Sequence, residues 1–145
     1  MNSLSIKIAV GLGCDRGTPL ATLQQVLDEA LALAGARLGD VAAAASIDLK
    51  ADELGLLALA ARHGWTLTFY TPEQLAAVPV PNPSETVRKY TGSPSVSEAA
   101  ALLSASAVAG HILPAAALLV EKHKHRGPDG RNATVSLARC ASFSL

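Results

Sequence analysis

The sequence predicts an α/β fold: a three-layer α/β/α sandwich with a mostly parallel sheet and a C-terminal antiparallel hairpin. Three observations predict it. Short apolar runs (SIKIAVGL, VAAAASI, LTFY) alternate with stretches whose apolar residues recur at helical spacing, the order of βαβ units. Glycines close the first two of those stretches, Gly35 and Gly64. Near the C-terminus LLVEK and ATVSLAR flank KHRGPDGRN, whose Gly-Pro-Asp-Gly core is turn chemistry.

The elements follow in order. Ser5 to Leu12 reads as a buried strand, rich in Ile and Val and closed by glycine. Thr18-Pro19 suits a helix start, with a hydroxyl at the cap and proline in the first turn. Leu20, Leu23, Val26, Leu27, Ala30, Leu31 and Ala34 then repeat at helical spacing. Val41 to Ile47 forms a second strand, and DLKADE (48–53) a polar loop. A helix over 53–63 turns Leu54, Leu57, Ala58 and Ala61 inward, and Leu67 to Tyr70 is the third strand. Thr71-Pro72-Glu73 opens a short helix carrying Leu75 and Val78. The prolines of VPVPNPSE make an extended connection ending at a Ser84 cap. Helices over 85–91 and 96–107 follow, the second opened by a capping box of Ser95 with Glu98. Leu118 to Lys122 and Ala133 to Arg139 complete the set as hairpin strands.

At 145 residues, half apolar and 17% charged, the whole chain 1–145 reads as one domain able to bury a core. Aromatics are only 3%, so aliphatic side chains and alanine fill that core. Twelve basic and twelve acidic residues balance, which removes any general attraction to nucleic acid or an anionic membrane; an anion site must be local. No apolar run approaches the roughly 20 residues that span a bilayer. SLSIKIAV lacks the basic front and cleavage site of a secretion signal, and Cys14 and Cys140 form no CxxC pair. The expected setting is a reducing cytoplasm without membrane or nucleic-acid partners.

In a parallel sheet the loops after each strand emerge on one edge, where ligands collect. Four groups of candidates compete for that rim. Gly11, Gly13 and Gly17 form GxGxxxG, which lets backbone N–H groups approach a ligand, with Arg16 and Thr18 beside the helix start; a tight turn without ligand uses the same glycines. Cys14 stands near a helix N-terminus, as a nucleophile or as a small buried side chain. Asp48, Lys50, Asp52 and Glu53 crowd one loop, as acid and base or as a solvated turn. In KHKHR (122–126), Lys122 and Lys124 share one face of an extended chain and His123 and His125 the other. Two imidazoles leave a metal site incomplete unless Cys14 or Glu121 helps, so neither a metal nor a cofactor is assigned.

GLGCDRGTP, SIDLKADELGLLALA, PSETV followed by GSPSVSEAAALL, LLVEKHK and TVSLAR together resemble the CobE/CbiG C-terminal family of cobalamin biosynthesis, in register over about residues 5–139. The length resembles the free-standing members that serve the oxygen-dependent corrin pathway. The resemblance implies a role on a tetrapyrrole intermediate between precorrin and hydrogenobyrinic acid, an apolar macrocycle ringed with carboxylates. Gly11, Gly13, Cys14, Arg16, Gly17, Thr18, Asp48, Lys50, Lys122 and Lys124 are then the expected substrate-binding residues, with other pathway enzymes as further partners. The family's lactone-opening members carry another region that this chain lacks, and the last hairpin is longer and more basic than the family pattern. Lactone hydrolysis is therefore not inferred. Carrier, pathway enzyme using Cys14 or a loop carboxylate, and cobalt handling through His123 and His125 remain the three alternatives.

Overall fold

The structure is a computed structural model that describes residues 6–92 and 95–141. Its strands are β1 (Ile8–Cys14), β2 (Val41–Ile47), β3 (Leu67–Tyr70), β4 (Leu118–Arg126) and β5 (Asn132–Arg139). They form one sheet in the order β3-β2-β1-β5-β4. β1, β2 and β3 run parallel, and β5 is antiparallel to both β1 and β4. β4, on the edge, therefore points the same way as β1. The antiparallel strand, β5, lies inside the sheet because it is the more apolar strand of the hairpin: Ala133, Val135, Leu137 and Ala138 are all fully buried.

Helices α1 (Leu20–Ala34) and α2 (Leu54–His63) cover one face, and α5 (Val96–Ala109) covers the other with α3 (Pro72–Ala76) against it. The small helix α4 (Glu85–Thr91) buries no residue. Strand alternation sorts the core into two halves. Ile8, Val10 and Leu12 of β1 meet Leu23, Val26 and Leu27 of α1 and Leu56 and Leu59 of α2. On the other face Ala9 and Ala138 meet Ala101, Leu102 and Ala105 of α5, and Ala45 and Ile47 meet Val96, Ala99 and Ala100. Here the side chains are small and the helix lies close. A Cβ on Gly11 would overlap the Ser97 carbonyl oxygen, so Gly11 lets α5 rest directly on β1.

Several expected boundaries move. The N-terminal start of the predicted first strand, Ser5, lies outside the described residues. β1 continues through Gly11 and Gly13 to Cys14, because it pairs with β5 from Ile8↔Arg139 to Cys14↔Ala133. Only Asp15–Pro19 is left as loop. α1 opens at Leu20 with Pro19 as its N-cap; the Thr18 hydroxyl donates to the Asp15 carbonyl at 2.7 Å instead of capping.

The inward face of α2 is Leu56, Leu59 and Ala60, whereas Leu54 is 80% and Leu57 41% exposed. The reason is Gly55, whose Cβ would overlap the Thr18 carbonyl oxygen: the helix seats its glycine side on the β1–α1 loop. At α5 the expected capping box does not form. Ser95 makes no side-chain cap bond, and Glu98 is held by Asn82. Finally, β4 runs past the expected end at Lys122 to Arg126, so all of KHKHR lies in the strand.

Candidate functional site

Because β1, β2 and β4 share a direction, the loop 15–19, the turn 48–53 and the hairpin 127–131 emerge on one edge of the sheet. The hairpin and the β1–α1 loop are tied together. Asp15 N–H donates to the Asn132 carbonyl at 2.9 Å, Asn132 N–H to Asp15 Oδ2 at 2.8 Å, and Arg131 Nε–H to the Arg16 carbonyl at 2.9 Å. Gly17 takes φ +77° at this junction, under the Arg131 guanidinium, a conformation that requires glycine.

On the α1–α2 side of this rim the charges answer one another. Arg16 donates from Nη1 to Asp52 Oδ1 at 2.9 Å and from Nη2 to the Leu49 carbonyl at 2.7 Å, and Nη1 lies 3.0 Å from Glu53 Oε2. Glu53 is buried and also accepts from Gly17 N–H at 3.0 Å. The hydrogen bond with Arg16 holds the exposed Asp52 carboxyl below its usual range and raises the guanidinium above its own. This cluster joins the β1–α1 loop to the start of α2. It binds Arg16 into the fold, where the sequence had placed it facing a ligand.

Cys14 lies half-buried on the same side, and Thr18 and Lys50 are near enough to lower its pKa. Burial outweighs them and pushes the thiol up to about 11. A thiol so placed stays protonated at neutral pH and is a poor nucleophile. Lys50 is half-buried, and Asp48 is exposed at the start of the 3-10 turn that carries both.

The α5 side is different. Thr134 of β5 lies between Gly13 of β1 and Lys124 of β4, so Lys124, Thr134 and Gly13 form one row across three strands, about 10 Å wide. A Cβ on Gly13 would come within 2.6 Å of Thr134 Oγ1, so the threonine hydroxyl fills the space beside the buried glycine. One step inward Ser136 Oγ–H donates to Ser97 Oγ at 2.9 Å, seating the first turn of α5 over β5. Lys122 Nζ donates to the Asn82 carbonyl at 3.1 Å. Asn82 in turn donates to Glu98 Oε2 at 2.7 Å and Glu121 Oε1 at 2.9 Å. Desolvation lowers the Lys122 pKa, with buried Glu98 opposing that shift. Among the described residues the Lys124 ammonium makes no hydrogen bond or ion pair.

The histidines take the opposite face. His123 Nε2 lies 2.7 Å and His125 Nδ1 3.4 Å from the two oxygens of Glu29 on α1, latching the edge strand to the helix. Among the described residues no group of three His, Cys, Asp or Glu is placed to hold a metal ion. At the far end of the sheet an open depression of about 710 Å³ is lined by Gly39, Ala42, His63, Gly64, Trp65 and Thr66 among others. It offers no lysine or arginine to a carboxylate.

The rim therefore brings Lys124, Thr134 and Gly13 together, with Lys122 next to them, while Arg16 and Lys50 turn to the other side of the sheet. Gly11 sits beneath α5, and its role is packing. Asn82, Thr134 and Ser97 were not singled out from the sequence, and Ser95 only as a helix cap. The signal for the two serines was the serine-rich start GSPSVSE of a helix otherwise built of alanine, where Ser93 and Pro94 lie outside the described residues.

A mixed α/β sheet whose basic strand end meets a helix N-terminus is the class defined by these elements, and the comparisons give it a family. Residues 8–138 match the family described as Cobalamin synthesis G C-terminus, and the chain belongs to it. It is similar to Protein CobE of Sinorhizobium sp, 40% identical over 100 residues, covering 68% of this chain and 65% of that protein. It is also similar to the cobalt-precorrin-5A hydrolase of Priestia megaterium, 43% identical over 96 residues, or 66% of this chain but only 26% of the hydrolase. The chain thus spans less than two thirds of either relative. Among solved structures, CobE, a protein from the cobalamin (vitamin B12) biosynthetic pathway, superposes with a TM-score of 0.76 at 34% identity, covering 92% of this chain and 90% of CobE. The cobalamin biosynthesis protein chiG from Agrobacterium tumefaciens gives 0.55 at 25% identity, covering 89% and 96%.

Proposed function

We propose that this member of a cobalamin-synthesis family binds a polycarboxylate corrinoid intermediate, of the precorrin to hydrogenobyrinic acid type, on the α5 side of the sheet edge. The observation that carries the reading is the exposed Lys124, its ammonium unengaged among the described residues, beside the half-buried Thr134 on the neighbouring strand. Lys124 supplies charge for a peripheral carboxylate, and the half-buried Thr134 beside it supplies a hydroxyl. Lys122 lies next to it and reinforces the positive field.

The role is holding or passing on the ligand, with other enzymes of the pathway as partners, in a cytoplasmic domain comprising the whole chain 1–145. Nothing in the rim argues for a thiol mechanism, since Cys14 is held protonated. Titration with hydrogenobyrinic acid tests the reading. Its visible spectrum is expected to shift on binding, with affinity falling as salt rises. An unchanged spectrum at high micromolar ligand overturns it.

A further inference from the structure

We propose that Arg126 and Lys124 form a two-point clamp for neighbouring carboxylates of the ligand, on the α5-facing side of the edge strand β4. The inference rests on the reading above and deepens it. It adds Arg126, a residue not assigned to the site from the sequence, and makes the number of ligand carboxylates the basis of selection.

The direction of both side chains is set by their neighbours in the strand. His123 and His125 reach Glu29 on α1, at 2.7 Å and 3.4 Å. Successive residues of a strand point to opposite faces, so Lys124 and Arg126 face away from α1. Lys122, two residues earlier, agrees: its ammonium donates to the carbonyl of Asn82, which also holds Glu98 of α5. Pairing of β4 with β5 is regular here, from His123↔Val135 to Arg126↔Asn132 without a bulge. Arg126 and Lys124 thus stand side by side, about 7 Å apart at their Cα atoms.

Both side chains are exposed, and among the described residues neither makes a side-chain hydrogen bond or ion pair. The nearby acids are already engaged. Asp15 accepts from the main-chain and side-chain N–H groups of Asn132, and Glu98 and Glu121 accept from Asn82. Asp129 is held by Arg131, whose Nε–H donates to the Arg16 carbonyl. Two adjacent like charges without a counter-charge repel one another, and a bound anion relieves that repulsion. The planar guanidinium grips one carboxylate through two parallel N–H donors, while the lysine supplies a point charge for the next. A ligand with several carboxylates on neighbouring arms engages both at once; a ligand with one engages them only in turn.

Isothermal titration calorimetry of the full chain tests the clamp with three probes: hydrogenobyrinic acid, the same macrocycle with its carboxylates esterified, and propane-1,2,3-tricarboxylate. Esterification should weaken binding of the macrocycle at least about tenfold, the scale of one charge-assisted contact. Arg126→Ala should weaken hydrogenobyrinic acid about tenfold without moving the unfolding midpoint, and Arg126→Lys should recover only part of the loss. Arg62→Ala, which removes an exposed cation from α2, should leave affinity unchanged; an equal loss there would make the effect one of general charge and overturn the clamp. An ester that binds as well as the acid also overturns it. Acid binding untouched by Arg126→Ala overturns the clamp and leaves the corrinoid reading standing. So does a variant that keeps its affinity but self-associates, which assigns Arg126 to guarding the open edge of β4. Tricarboxylate binding that Arg126→Ala removes, with no heat from the macrocycle, upholds the clamp and overturns the corrinoid reading alone. No heat from either acid overturns both.

Discussion

The two sides of one sheet edge use their charges in opposite ways. On the α1–α2 side Arg16 hydrogen-bonds Asp52 and pairs with Glu53, which accepts from the Gly17 amide, and together they clamp two loops. On the α5 side the Lys124 ammonium and the Ser95 hydroxyl have no partner among the described residues, although Ser95 is buried. A buried polar atom left unpaired is costly, typically about 1–3 kcal/mol. Nearness to an edge where ligands gather is therefore not enough to mark a binding residue. The first side holds the fold, and the second leaves the exposed Lys124 ammonium unengaged.

This contrast can be broken or sharpened by measurement. The largest effect is expected from Gly11→Ala. The new methyl would meet the Ser97 carbonyl and lift α5 from the sheet, costing at least about 3 kcal/mol in denaturant unfolding. Wild-type stability after this change would separate α5 from β1 and dismantle the α5 side altogether.

Next comes Cys14, whose thiol has a folded pKa of about 11 against an ordinary 9.0. The unfolded chain loses its proton first, so the thiol's contribution is intact below pH 9 and lost as pH rises to about 11. The size is about 2–3 kcal/mol. The difference between wild type and Cys14→Ala, followed across that window, should show it; parallel pH profiles would mean a thiol more open to water. Glu53→Ala should cost about 2 kcal/mol, since it leaves the Gly17 amide without an acceptor and unties Arg16.

Lys124→Ala should do the reverse. Stability is expected to stay within about 0.5 kcal/mol of wild type while hydrogenobyrinic acid binding weakens about tenfold. A stability loss matching that of Glu53→Ala would make the two sides alike. The smallest effect is expected from Leu54→Glu, within about 0.5 kcal/mol, because this side chain is 80% exposed. A large loss there would restore the helix face that the spacing alone suggests.

Much of the fold was legible. β2, β3 and α4 lie where alternation, turn residues and the Ser84 cap put them, and the left-handed glycines Gly35 and Gly64 end α1 and α2 as read. α2 misled because its sequence, LGLLALAARH, carries two apolar stripes; only contact between Gly55 and the Thr18 backbone selects one. At Ser95 and Glu98 the capping-box spacing was present, but Asn82, 16 residues earlier, took the carboxylate. Of the candidate site, Lys122 and Lys124 were legible as a shared face. Arg16 was read as a ligand contact because its acidic partners lie more than 30 residues away in the chain.

By itself the sequence determined the order and type of the elements and the separation of lysines from histidines along β4, because periodicity and turn chemistry act over a few residues. It also determined the family. The tertiary structure alone decided which charges are quenched and which stay open, since that depends on partners brought together across the sheet and on a helix end whose neighbours are remote in the chain.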